Sequence, residues 1–216
     1  MKNNLTELVF ILDRSGSMGG LEKDTIGGYN SFIAKQQEES GDANLTTVLF
    51  DHGYEILHNA VDVKKVAPLT DKEYYARGTT ALLDAVGKTI VDIGNRLSSL
   101  LDAERPEKVL FVITTDGMEN ASHKYSSDKI KEMIEHQKSV YSWQFLFLGA
   151  NMDAVGAARE IGISEEDAVQ FHCDSDGVEL NYEVMSREVA KFRRSSSKCM
   201  EKSWKAEIVR DFEERG

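Results

Sequence analysis

Apolar residues follow two alternating rhythms along this chain. Continuous apolar runs stand at "LVFIL" (8–12), in "KVLFVITTD" (108–116) and in "WQFLFLGAN" (143–151). Short unbroken runs of this kind predict strands buried on both faces. "NLTTVLFD" (44–51) and "YEILHNA" (54–60) flank "DHG" and predict a hairpin with a tight turn. "AVQFHC" (168–173) predicts a last short strand. Between these runs the spacing becomes helical. Residues 21–40 place Ile26, Tyr29, Phe32 and Ile33 on one face. Residues 79–101 carry the stripe Leu82, Val86, Ile90, Ile93, Leu97 and Leu100, stepping by four, four, three, four and three. "SSDKIKEMIEHQKSV" (126–140) predicts a helix opened by a serine cap, and "DAVGAAREIGI" (153–163) a short one. From Asp174 onward the chain predicts a polar helix or helix pair. Val178, Tyr182, Met185, Val189 and Phe192 pack it on the sheet. Trp204, Ile208, Val209 and Phe212 form a second group that folds back on the domain or meets another copy.

Strands alternating with helices predict an α/β, doubly wound fold: a mostly parallel central sheet, one antiparallel edge strand, and helices on both faces. Gly27 and Gly28 weaken the first helix by about 1 kcal/mol each relative to alanine. Their compensation would be a close backbone approach to the sheet. With no repeat, no low-complexity tract and two prolines, residues 1–192 form one domain and residues 193–216 a C-terminal polar helical extension.

Charge narrows the partners. Across 216 residues, 26 Lys and Arg face 37 Asp and Glu, a net charge of -11. That balance argues against nucleic acid and anionic membranes, and for cations or basic partners. One segment runs the other way: Lys191, Arg193, Arg194, Lys198, Lys202 and Lys205 are opposed only by Glu201, a solvated helix face or an acidic-partner site. Cys173 and Cys199 stand at no metal-type spacing and predict free thiols in a reducing compartment. The apolar run near the N-terminus is too short for a signal peptide, and no stretch spans a bilayer. The expected location is cytoplasmic.

In doubly wound sheets, ligands bind at the carboxyl ends of the strands. The first strand ends in "DRSGSMGG", with Asp13, Ser15 and Ser17 among glycines that allow a tight turn. The 108–116 strand ends in Asp116, and "ARGTTALLDA" brings Thr79 and Thr80 into the loop before the long helix. Two carboxylates and several hydroxyls, without histidine or cysteine, make a hard ligand set. It suits Mg²⁺, Mn²⁺ or Ca²⁺ rather than zinc. Other chemistries fit less well. A serine nucleophile elbow needs G-x-S-x-G, and Ser15 breaks that pattern before Ser17. An aspartyl-phosphate enzyme built on Asp13 would carry a second carboxylate where Ser15 stands. A metal-dependent hydrolase or phosphatase on the same cluster is the alternative to a binding module. Asn120, Asn151 and Asp153 line the rim or satisfy loop backbone, Asp153 as a helix cap. "DSDG" (174–177) reads as a helix start, since no glutamate follows at calcium-loop distance.

Asp13-Arg-Ser15-Gly-Ser17, with Thr80 in "GTTAL" and Asp116 in "TTDG", resembles the metal-ion-dependent adhesion site (MIDAS) of von Willebrand factor A (VWA) domains. The likeness covers about residues 5 to 192, in the manner of stand-alone bacterial members. It implies a Rossmann-like VWA fold with Ser15, Ser17 and Thr80 binding the ion by hydroxyls, and Asp13 and Asp116 binding directly or through water. With no acid–base partner beside these five oxygen ligands, the expectation is binding without catalysis. A partner protein's Asp or Glu carboxylate would complete the shell of a Mg²⁺ ion, leaving the oligomeric state open.

Overall fold

The computed structural model describes residues 2–216, with side chains from Asn4 onward. Six strands form one sheet: β1 (Lys2–Asp13), β2 (Asp42–Phe50), β3 (Tyr54–Asp62), β4 (Pro106–Thr115), β5 (Gln144–Ala150) and β6 (Ala168–Phe171). Their order is β3-β2-β1-β4-β5-β6, with β3 antiparallel to β2 and every other pairing parallel. Six α-helices flank it: α1 (Glu22–Glu38), α2 (Leu82–Ser99), α3 (Ser127–Tyr141), α4 (Ala154–Glu160), α5 (Ser175–Arg194) and α6 (Ala206–Arg215).

β1 extends well beyond its apolar run because the polar residues at its start still pair with β2 and β4. Successive side chains of a strand point to opposite faces, so β1 feeds two cores at once. Leu8, Phe10 and Leu12 pack with α1 and α5, while Val9 and Ile11 pack with α2, α3 and α4. The α2 stripe from Leu82 to Leu97 is buried against this second face, with Leu100 packed at its edge. Each such apolar side chain contributes about 1.5–3 kcal/mol on burial.

The strand order reverses direction between β1 and β4. From β1 the chain moves outward to β2 and β3, then returns to β4 and moves outward the other way. At such a switch point the loops leaving the two central strands splay apart and open a crevice at their carboxyl ends. Asp13 and Asp116 occupy those two ends.

The end of the chain is tied to this same core. α5 continues across residue 192 to Arg194, and Trp204 and Ile208 are 2% exposed within the core shared by α1 and α5. Most of the basic segment bonds within the chain. Lys191 pairs with Glu188, Arg194 with Glu39 and Lys202 with Glu166. Buried Arg193 donates to the carbonyls of Gln36 and Gly41, and Lys205 to those of Glu165 and Ala168. Cys173 and Cys199 are both free thiols. Among the described residues, no helix is long and apolar enough to cross a membrane.

The two glycines of α1 differ from their expected role. The close neighbour is α5, not the sheet. A β-carbon on Gly28 would lie 2.3 Å from Cδ2 of Tyr182, whereas one on Gly27 would meet nothing within 4 Å. Gly28→Ala must therefore push the Tyr182 ring, and overpacking of this kind costs about 1–3 kcal/mol. Gly27→Ala gains helix propensity, about 0.5–1 kcal/mol. Urea denaturation of the two variants should give opposite signs at adjacent positions; a stabilised Gly28→Ala would contradict this packing.

Candidate metal centre

β1 delivers Asp13 into a buried position, 1% exposed, where every acceptor is engaged by the chain itself. Its Oδ1 accepts from the Ser15 amide at 2.7 Å, and its Oδ2 from the Thr115 hydroxyl at 2.6 Å. Its backbone carbonyl accepts from the Tyr74 hydroxyl at 2.5 Å. Beyond it the turn becomes a short 3₁₀ segment, Gly16–Met18, which folds Ser15 and Ser17 toward each other with their hydroxyls 3.0 Å apart. Ser17 donates to Asp116 Oδ1 at 2.6 Å, joining the ends of β1 and β4.

The third loop is fixed by backbone pairing. Gly16 N–H donates to Gly78 O, Arg77 N–H to Arg14 O, and Ala81 N–H to Asp51 O. Asn120 clamps Thr80 from the other side: its Oδ1 accepts from Thr80 N–H and its own N–H donates to Thr80 O, both at 3.0 Å. Thr80 is buried and Thr79 exposed. The three hydroxyls gather at the backbone of Gly117. A β-carbon there would sit 3.0 Å from Ser17 Oγ, 3.2 Å from Thr80 Oγ1 and 3.9 Å from Ser15 Oγ. A side chain at 117 would press on these hydroxyls, which would have to give by a few tenths of an ångström.

The five residues singled out from the sequence, Asp13, Ser15, Ser17, Thr80 and Asp116, thus come together. The three rim residues divide. Asn120 serves the Thr80 loop, and Asp153 caps α4 by accepting from Gly156 N–H at 2.8 Å. Asn151 reaches toward the Cys173 thiol, which lies 3.8 Å from Asp116 Oδ2. Several contributors were not anticipated. Thr115 holds Asp13. Asp51, expected only as a turn residue, is fully buried and accepts from Arg14 Nε at 3.0 Å and Arg77 Nε at 2.7 Å. Arg14 is 1% exposed and points away from Asp13 toward that pair and Glu55. The polar strand end of β2 was the available signal for Asp51; nothing in the spacing marked Tyr74.

Electrostatics follow from this arrangement. Burial pushes the Asp13 carboxyl up to about 6 from its ordinary 3.8, against the bonds from Thr115 and Ser15, and neighbouring Asp116 adds to the rise. Burial also raises Asp116, offset in part by Ser17. Asp51 ends below its usual range: burial would raise it, but the bonds from Arg77, Gly53 N–H and Arg14 outweigh that cost. The cations of this region therefore neutralise Asp51, and among the described residues no ion pair reaches Asp13 or Asp116. Two desolvated carboxylates and three converging hydroxyls fit a small hard divalent cation. The described residues contain no cluster of three or more His, Cys, Asp or Glu able to hold a metal, so hydroxyl oxygens must supply much of any shell.

No family model and no curated protein matches this chain. Solved structures do. A von Willebrand factor type A structure from Catenulispora acidiphila is 13% identical with a TM-score of 0.56, over 86% of this chain and 42% of that one. The vWF domain of the type V pili tip protein Mfa5 from Porphyromonas gingivalis is 9% identical with a TM-score of 0.63, over 89% of this chain and 97% of that one. Proximal thread matrix protein 1 from the mussel byssus, with a zinc-occupied MIDAS motif, is 16% identical with a TM-score of 0.55, over 86% of this chain and 46% of that one. This chain spans less than half the length of the first and third of these. At such identities the likeness is one of fold: the six-stranded sheet and its helices have the architecture of VWA domains.

A pH prediction follows from Asp13. A carboxyl raised in the folded state destabilises the metal-free fold above its folded pKa, and stability returns as pH falls through about 6. Asp13→Asn removes that ionisation, and its amide can donate to Thr115 Oγ1. In the presence of chelator the variant should exceed wild type by about 2–3 kcal/mol at pH 8, a gap that narrows as pH falls through about 6 and closes toward pH 4. Denaturant melts at both pH values test it; a gap independent of pH would contradict it.

Proposed function

We propose that this chain is a divalent-metal-dependent protein-interaction module. The observation that carries the reading is the convergence of Ser15, Ser17 and Thr80 hydroxyls beside two buried carboxylates with which, among the described residues, no cationic side chain pairs. Ser15, Ser17 and Thr80 would hold the ion through hydroxyl oxygen, with Asp13 and Asp116 holding it directly or through water. Bound Mg²⁺ supplies a hard electrophilic point that a partner protein's Asp or Glu carboxylate can complete; Mn²⁺ or Ca²⁺ would serve in the same way. The chain's own residues do the orienting. Thr115 and the Ser15 amide fix the rotamer of Asp13, and Asn120 fixes the height of the Thr80 loop. The zinc-occupied MIDAS of the mussel protein supports a metal role for such a site on this fold.

A binding role is preferred to catalysis because no histidine hydrogen-bonds to Asp13, Ser15, Ser17 or Asp116 among the described residues; His52 lies against Asp51 instead. A protein partner is preferred to nucleic acid because most of the basic C-terminal residues are already bonded within the chain. The free thiols accord with a reducing, cytoplasmic setting.

Titration calorimetry with Mg²⁺ and Mn²⁺ should find one site. Asp13→Ala, Ser15→Ala and Thr80→Ala should each weaken it by about tenfold or more. Phosphate esters, carboxylic esters and peptides should show no turnover. Unchanged metal affinity in these variants would overturn the metal reading, and turnover abolished by Asp13→Asn would replace the module with a hydrolase.

A further inference from the structure

A small pocket lies behind Asp116, on the side of the sheet that carries α1 and α5. Thr25, Cys173, Asn181 and Tyr182 line it together with Asp116, and its room of about 10 Å³ matches one water-sized sphere. Three groups in its wall stand out. Thr25 is 3% exposed, Asn181 2% and Tyr182 5%, yet Thr25 Oγ1, Asn181 Oδ1 and the Tyr182 hydroxyl are buried without a hydrogen-bond partner. Buried polar groups of this kind are almost always satisfied, by protein or by ordered water. Neither α5 position is an accident of loose packing. The Tyr182 ring fills the place where Gly28 lacks a β-carbon, and Asn181 lies on the core side of α5.

Asp116 brings the fourth group. Its Oδ1 is engaged by Ser17 at 2.6 Å, but Oδ2 has only the weak Cys173 thiol at 3.8 Å. A carboxylate oxygen and an amide oxygen are acceptors, and the Thr25 and Tyr182 hydroxyls can donate. Two acceptors and two donors around a one-water space match what a single water offers, two protons and two lone pairs. A cation would leave both hydroxyl protons without an acceptor, and an apolar filling would leave all four groups unsatisfied.

We propose that this space is a binding site for one internal water, and that Asn181 and Tyr182 are positioning residues that act through it on Asp116. α5 then sets the orientation of the far carboxylate of the metal site while Ser17 sets its near oxygen. The effect on metal affinity rests on the function proposed above; the water itself does not.

The test has two arms. A high-resolution crystal structure of the chelated, metal-free protein should show one ordered water within hydrogen-bond distance of Asn181 Oδ1, the Tyr182 hydroxyl and Asp116. A dry space, or a water that misses Asp116, overturns the proposal. Mg²⁺ calorimetry on Asn181→Leu and Tyr182→Phe should then show affinity lowered by about tenfold, the low end of the range for groups that orient a ligand. Val189→Ala, which loosens α5 far from the space, should lower the melting temperature without changing affinity. Wild-type affinity in Asn181→Leu overturns the positioning role. If wild type binds no Mg²⁺ at all, the metal reading fails, and the crystal structure alone decides the water.

Discussion

Two carboxylates buried side by side without a counter-ion are costly, and the architecture of this protein is arranged around that cost. Asp13 and Asp116 sit where the strand order reverses, the one place in a doubly wound sheet where two central loops part. A lone buried charge is normally paired or neutralised. Here the nearest cation, Arg14, follows Asp13 directly in the chain, yet it turns to Asp51. What faces the two carboxylates instead is a set of O–H and N–H donors: Ser15, Ser17 and Thr115. These hold the geometry but leave the negative charge unbalanced. The same bonds hold the site in shape without any ion.

The surrounding scaffold makes that placement rigid. β1 supplies both cores with alternate side chains, so the end of β1 cannot shift without disturbing both faces of the sheet. Asp51, held by two arginines and accepting the Gly53 amide, braces the loop that carries Thr80 through the backbone bond from Ala81 to its carbonyl. On the opposite side α5 lies so close to α1 that only glycine fits at position 28. The residues after 194 then close the end of this core through Trp204 and Ile208.

Much of this was legible in the chain itself. The apolar run 8–12 and the one within 143–151 read as strands buried on both faces, and the stripe from Leu82 to Leu97 admits one helix face. The candidate ligands Asp13, Ser15 and Ser17 lie within one turn, so their spacing carries the chemistry. Asp116 follows from the strand-end rule, and Thr80 from the family resemblance carried by "GTTAL". The rest depended on partners distant in sequence. Gly28 meets Tyr182, Asp51 meets Arg14, and Arg193 meets Gln36, all across elements that periodicity does not relate. The basic segment near the C-terminus looked free for the same reason: Glu39 and Glu166, which pair with Arg194 and Lys202, belong to other parts of the chain. Thr115 lay in plain view beside Asp116, but a threonine inside an apolar strand gives no sign of which neighbour it bonds.

The central claim is that the oxygens at this switch point hold a divalent cation. It is tested most directly by anomalous diffraction from crystals soaked in Mn²⁺. The account predicts one strong peak in contact with the hydroxyls of Ser15, Ser17 and Thr80, lost in Asp13→Ala. No peak there, or a peak unaffected by that substitution, would contradict it.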